Sequence, residues 1–79
     1  MNLFVERLKE LLSESGKMQK DICIDLNISR QKLSKWKTSY NEPSIDEIIM
    51  IANYFKVSTD YLLGVEDEFG NKMKDKEKN

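Results

Sequence analysis

The sequence predicts an all-α protein built from one small domain. Apolar residues recur at spacings of three and four along most of its 79 residues, as on the buried face of a helix. Two glycines and the single proline interrupt those stretches, at positions where helices end. A composition of 39% hydrophobic and 34% charged residues is typical of a globular domain. We expect five helices, covering about residues 2–15, 18–26, 29–38, 44–55 and 59–63.

The first two helices have recognisable ends. Asn2 is suited to cap the first helix, and Gly16 to end it in the left-handed conformation. Asn27, which follows the second helix, tolerates positive φ better than most residues. The first helix has one broad apolar stripe of Phe4, Val5, Leu8, Leu11 and Leu12. The apolar side chains expected to be buried by the second are Met18, Ile22, Cys23 and Leu26.

The later helices also begin and end at local signals. Ser29 is a good N-cap for the third helix. Residues 39–43, which end in a proline, predict a loop. Ser44 and Glu47 have the spacing of a capping box, and Gly64 closes the brief fifth helix. The stripe expected to be buried on the fourth helix is Ile45, Ile48, Ile49, Ile51, Ala52 and Phe55.

The domain is expected to span residues 1–65, followed by a charged and flexible tail at 66–79. The longest uncharged apolar run, 48–52, is far short of the ~20 residues that cross a membrane. Charged residues interrupt the first twelve positions, unlike the apolar stretch of a signal peptide. We therefore expect a cytoplasmic, nucleoid-associated protein with no membrane partner.

The residue inventory argues against catalysis. Histidine is absent and Cys23 is the only cysteine, so an intrachain disulfide and a Cys/His metal site are excluded. The usual general base is missing, and three glycines make no phosphate-binding loop. We expect no enzymatic activity, no cofactor and no metal. Cys23 is expected to be a buried small residue, with redox sensing as the alternative.

Charge is distributed unevenly along the chain. Residues 17–41 contain six basic and two acidic side chains, whereas 42–69 contain one basic and seven acidic ones. The net charge of −1 hides this division. Such an asymmetry is typical of a protein that presents one face to a polyanion.

The third helix has two faces of opposite character. At about 100° per residue, Leu33 and Trp36 point inward. An arc of about 140° on the other side contains only polar residues, namely Arg30, Gln31, Ser34, Lys35 and Thr38. Arg and Gln side chains can make bidentate contacts with guanine and adenine. Two short helices joined by a short turn indicate a helix-turn-helix.

The sequence resembles the phage repressor and Cro class of helix-turn-helix regulators, the XRE family. The resemblance is carried by MQKDICIDLNISRQKLSKW, NEPSIDEIIMIANYF and VSTDYLLG, which cover most of residues 1–64. It implies a compact repressor-like domain whose third helix enters the major groove. The implied base-reading residues are Ser29, Arg30, Gln31 and Lys35. The implied phosphate-binding residues are Gln19, Lys20, Lys32, Ser34, Lys37, Thr38 and Tyr40.

Three departures from the family pattern concern this surface. Met18 stands where a threonine usually caps the second helix, and Asn27 where the turn usually has a glycine. The positions of a frequent Arg–Glu pair hold Leu12 and Lys37, which frees Lys37 to approach phosphate.

The resemblance implies a sequence-specific double-stranded DNA-binding regulator, a repressor of bacterial or prophage origin. It would act as a homodimer on a palindromic operator, because one recognition helix reads only a half-site. The dimer contact is expected around Tyr61, Leu62, Val65 and Phe69. An alternative from another class is a protein-interaction module such as an antitoxin, with tail 66–79 folding onto a partner. An outward-facing Ile24 favours that alternative.

Overall fold

The computed structural model describes residues 2–38 and 42–65. These ranges contain five helices and no strand, which confirms the predicted all-α class. The helices are α1 (Asn2–Glu14), α2 (Gln19–Leu26), α3 (Arg30–Lys37), α4 (Ile45–Phe55) and α5 (Thr59–Leu63). Tyr40, Phe69, the predicted tail at 66–79 and the side chain of Asn2 lie outside what the structure describes.

The predicted helix ends are formed by local hydrogen bonds. Ser29 Oγ accepts from the Lys32 backbone N–H at 2.9 Å. Ser44 and Glu47 form the reciprocal capping box, with the Ser44 N–H donating to Glu47 Oε1 at 2.8 Å. Residues in the left-handed conformation end α2 and α5 as predicted, namely Asn27 at φ 58° and Gly64 at φ 88°. These local signals account for where α3 and α4 begin and where α2 and α5 end.

The core lies where the five helices meet. Helix α1 packs against α3 and α5, α2 against α3 and α4, and α4 against α5. The largest fully buried side chains come from all five helices: Trp36, Phe4, Leu8, Ile22, Leu33, Ile51 and Leu62. This confirms the prediction that Leu33 and Trp36 face inward. Cys23 is also buried, in the same core. Because α3 is anchored by its own inward face, its outward face is held in a defined orientation.

Three residues predicted to be buried are exposed. Met18 is 63% exposed because it precedes α2 in an extended conformation and points out of the helix pair. Ile45 is 78% exposed as the first residue of α4, beyond the helices that cover the rest of that face. Ile49 is 46% exposed because it lies beside the buried arc of α4, which is formed by Ile48, Ile51 and Ala52.

The expected dimer contact also needs a correction at Leu62. This side chain is fully buried, because α5 turns it into the core between α1 and α4. It cannot meet a second subunit while the domain is folded in this way. On the same short helix and the residues after it, Leu63 and Val65 are exposed.

Arg7 is a buried charged residue that the sequence pattern did not single out. Its guanidinium donates a hydrogen bond to the backbone carbonyl of Tyr61 and lies 4.2 Å from the centroid of the Tyr61 ring. The contact joins α1 to α5 across 54 residues of sequence.

None of the helices in the described ranges has the length and apolar character needed to span a bilayer.

Candidate nucleic-acid interface

Helices α2 and α3 are joined by a tight turn at residues 27–29. Asn27 ends α2 in the left-handed conformation, and its N–H donates to the Ile24 carbonyl at 3.2 Å. The next N–H, from Ile28, donates to the Cys23 carbonyl at 3.0 Å. The Cys23 thiol lies under the turn, 3.9 Å from the Ser29 carbonyl oxygen. A small buried side chain at position 23 therefore lets the two helices approach each other closely.

The outward face of α3 brings most of the predicted base-reading residues together. Arg30 and Gln31 are exposed in its first turn, Ser34 is exposed one turn later, and Lys35 is half-buried beside them. Ser29 is exposed at the N-cap, where its hydroxyl already accepts the Lys32 N–H. Arginine and glutamine side chains at the start of such a helix can reach base edges in a major groove.

Thr38 has a structural role at the other end of α3. It is the C-cap residue, and its hydroxyl lies 3.2 Å from the carbonyl oxygens of both Ser34 and Lys35. The side chain is exposed, so it lies at the margin of the same face.

Gln19 and Lys37 are brought together by the packing of α2 beside the end of α3. Lys37 Nζ donates to Gln19 Oε1 at 3.1 Å. No side chain caps the start of α2, because Met18 occupies the N-cap position. An open groove of about 360 Å³ beside this pair is lined by Lys9, Leu12, Ser13, Lys17, Gln19 and Lys37. Lys9 and Lys37 beside the N-terminus of α2 make this groove a candidate site for a phosphate group.

Lys32 is directed away from this groove, toward α4. Its ammonium pairs with Glu47 Oε2 and lies 6.0 Å from the centroid of the Trp36 ring. The hydrogen bond from Lys32 and that from the Ser44 backbone lower the pKa of Glu47 below its ordinary value of 4.5. Glu47 is therefore ionised at neutral pH.

Lys17 forms a polar cluster with Asp25 and Tyr54 at the back of α2. Lys17 Nζ lies 3.3 Å from Asp25 Oδ2 and 3.0 Å from the Tyr54 hydroxyl, which donates to the same carboxylate. The hydrogen bonds from Tyr54 and Lys17 lower the pKa of Asp25. Hydrogen bonds with Tyr54 and Asp25 raise the pKa of Lys17. The cluster ties the segment before α2 to α4.

Sequence reasoning missed the partners that hold these lysines. The pairs Gln19–Lys37 and Lys32–Glu47 join residues 18 and 15 positions apart, on different helices. The acidic capping residue Glu47 was identified for its local role, and nothing in its spacing indicated a second partner. No group of acidic residues or cysteine that could hold a metal ion occurs within 2–38 and 42–65.

Residues 5–68 match the family described as helix-turn-helix domain. The HTH-type transcriptional regulator ImmR of Bacillus subtilis (strain 168) is 40% identical over 67 residues, which cover 85% of this chain and 52% of ImmR.

Two further relatives are more distant. The SPbeta prophage-derived uncharacterized HTH-type transcriptional regulator YonR of the same strain is 34% identical over 61 residues, covering 77% of this chain and 56% of YonR. The HTH-type transcriptional activator BcrR of Enterococcus faecalis is 30% identical over 64 residues, covering 81% of this chain and 31% of BcrR. This chain thus spans between about a third and somewhat over half of these relatives. With a family match across all five helices, and with the α2-turn-α3 geometry above, the chain belongs to the XRE-type helix-turn-helix regulator family.

Proposed function

We propose that this protein binds double-stranded DNA in a sequence-specific manner and regulates transcription. The observation that carries the proposal is the two-faced α3, which is anchored by buried Leu33 and Trp36 and presents Arg30 and Gln31 to solvent. The names of the relatives, all HTH-type transcriptional regulators or activators, support the same function. The proposal assigns no catalytic role to any residue.

One set of residues is proposed to contact base edges and a second set the DNA backbone. Base edges are read from the outward face of α3 and its N-cap, by Ser29, Arg30, Gln31 and Lys35. The residues assigned to the DNA backbone are Gln19, Lys20, Ser34, Lys37, Thr38 and Tyr40, of which Tyr40 lies outside the described residues. Phosphate contacts set the register and the salt dependence, whereas base contacts set the sequence preference. Lys32 is set apart from the second set because its ammonium is paired with the Glu47 carboxylate.

The binding unit proposed is a homodimer on a palindromic operator. A single α3 reads one half-site, and two copies would meet half-sites about 34 Å apart. Leu63 and Val65 are the exposed apolar side chains at the end of α5, and they would supply the contact together with the half-buried Tyr61.

We expect the dimer to act as a repressor, because a protein bound across a promoter blocks polymerase without any further contact. A prophage-derived relative supports a bacterial or prophage setting.

The test is selection of binding sites from a random double-stranded DNA library at near-physiological salt. Recovery of an inverted repeat with half-sites about one helical turn apart is the expected result. The variant Arg30→Ala/Gln31→Ala is the control, and its selected sites should lose the preference at the base pairs that these two residues read. Recovery of unselected DNA by the wild-type protein, with a steep salt dependence, would contradict sequence-specific recognition.

A protein-interaction role is the second candidate, and exposed isoleucines favour it. Ile24 is 73% exposed, as predicted, and Ile45 is more exposed still. A stoichiometric partner that co-purifies with the chain, together with no DNA affinity in its absence, would favour this candidate. In this second role, residues 66–79 would fold onto the protein partner.

A further inference from the structure

The ion pair between Lys32 and Glu47 joins the recognition helix to α4. We propose that Glu47 restrains Lys32 and thereby lowers the affinity of the protein for DNA of any sequence. Glu47 is thus a residue that limits the non-specific part of DNA binding. The inference rests on the DNA-binding function proposed above.

Lys32 lies where it could reach a phosphate. It follows Gln31 directly in the first turn of α3, and its backbone N–H donates to the N-cap Ser29. Its side chain is 48% exposed, so the ammonium is accessible to solvent at the flank of the outward face. In the structure that ammonium is bound by the Glu47 carboxylate.

Glu47 is held in place independently of Lys32. One carboxylate oxygen, Oε1, accepts the Ser44 N–H at 2.8 Å, and the Glu47 N–H donates to Ser44 Oγ at 3.1 Å. The other oxygen, Oε2, is thereby aimed at Lys32. Because the capping box has already ordered this side chain, binding Lys32 requires little additional loss of rotamer freedom.

The pair controls an electrostatic contribution to DNA binding. A lysine that neutralises a phosphate releases a condensed counterion and steepens the dependence of log K on log salt by about 0.9. While Lys32 is paired with Glu47, this contact with a phosphate is weakened. Because Glu47 supplies the negative charge in this pair, removing that charge by a single substitution releases the Lys32 ammonium.

The experiment compares Glu47→Gln with the wild-type protein on two DNA duplexes. Glutamine at this position preserves the capping box, so the substitution removes the charge without removing the helix cap. The dissociation constants are measured from low to near-physiological salt on the selected operator and on an unrelated duplex. Glu47→Gln is expected to bind both about fivefold more tightly near 0.15 M salt, with a salt slope steeper by about 0.9.

Two further variants separate this mechanism from a general charge effect. In the Lys32→Gln background, Glu47→Gln is expected to give no gain, so that the double variant binds DNA like Lys32→Gln alone. Asp46→Asn removes a neighbouring exposed carboxylate in the first turn of α4 and should change binding by less than about twofold. Circular dichroism of each variant confirms that it is folded.

The outcomes distinguish the inference from the function on which it rests. Unchanged binding by Glu47→Gln, or a gain that persists in the double variant, would overturn the role of the pair while leaving DNA binding intact. Absence of binding to any duplex at low salt, by the wild type and by every variant, would overturn the proposed function and the inference with it.

Discussion

Arg7 in α1 lies over the aromatic ring of Tyr61 in α5, with its guanidinium carbon 4.2 Å from the ring centroid, and donates a hydrogen bond to the Tyr61 carbonyl. Both the ring and the carbonyl bind the same cation, so the first and last described helices are joined by one side chain. Charged side chains are rarely buried without such partners. Arg7 therefore fixes the orientation of α5, at whose end the proposed dimer contact lies.

Arg7→Ala is expected to destabilise the domain by about 2–3 kcal/mol, because it removes the cation–π contact and leaves the Tyr61 carbonyl without its charged donor. Tyr61→Leu keeps the carbonyl and should cost about 1 kcal/mol. Urea denaturation followed by circular dichroism measures both. Equal losses from the two variants would show that the hydrogen bond to the carbonyl contributes nothing.

Arg30→Ala and Gln31→Ala are expected to weaken operator binding by ~1–3 kcal/mol each and to relax the preference at one base pair, because each removes a base contact. Lys37→Ala should weaken binding to every sequence and reduce the salt slope by about 1. Binding isotherms on operator and single-base variants test this. As a control, Lys56→Gln removes an exposed lysine that follows the far end of α4 and should change little. Uniform losses from all three α3 variants would contradict the division of roles.

Met18→Ser is expected to stabilise the domain by about 1 kcal/mol. Met18 occupies the N-cap of α2 with extended dihedrals (φ −72°, ψ 146°) and makes no side-chain cap. A serine hydroxyl there could accept an N–H from the first turn of the helix, as Ser29 does for α3. The exposed methionine side chain contributes little packing. The thermal unfolding midpoint of Met18→Ser is compared with that of Met18→Ala, which lacks the hydroxyl. Equal midpoints for the two variants would argue against a new cap.

The Cys23 thiol is expected to react with an aromatic disulfide reagent on the order of 100-fold more slowly in the native protein than in urea, because it is only 3% exposed beneath the turn. The reaction is followed by the absorbance of the aromatic thiolate that the reagent releases. Rapid stoichiometric reaction of the folded protein would instead favour the redox-sensing alternative.

Stability is expected to decrease as the pH falls below about 5. Glu47 and Asp25 have pKa values below their ordinary values of 4.5 and 3.8, because hydrogen bonds from Lys32 and Tyr54 favour the ionised carboxylates. A lowered pKa in the folded state contributes stability above the ordinary pKa, and that contribution is lost as the pH falls through the lower folded value. Urea midpoints from pH 7 to pH 3 measure the loss. In Glu47→Gln the urea midpoint should fall less steeply with decreasing pH. A pH dependence identical to that of the wild type would contradict the contribution assigned to Glu47.

Much of the fold was predictable because the signals are local. The N-caps at Ser29 and Ser44 and the left-handed residues Asn27 and Gly64 act through hydrogen bonds within five residues. The inward placement of Leu33 and Trp36 follows from their spacing of three along α3.

Other features depended on how the helices pack. Ile45 and Ile49 belong to the apolar stripe of α4, yet both are exposed, because the neighbouring helices bury the arc of Ile48, Ile51 and Ala52 and do not extend over these two side chains. Leu62 was expected at a subunit contact and is buried instead. Periodicity defines an apolar face, whereas the breadth and length of the partner helix decide how much of that face is covered.

By itself, the sequence determined the five helices, the caps at Ser29, Ser44, Asn27 and Gly64, and the polar outward face of α3, since turn chemistry and helical periodicity act over a few residues. Only the tertiary structure decided which cations are already engaged: Lys37 by Gln19, and Lys32 by Glu47. These partners lie on different helices and meet only when the helices pack against the shared core. The physical reason is that ion pairs and hydrogen bonds of charged side chains depend on distance in space, which local sequence patterns do not specify.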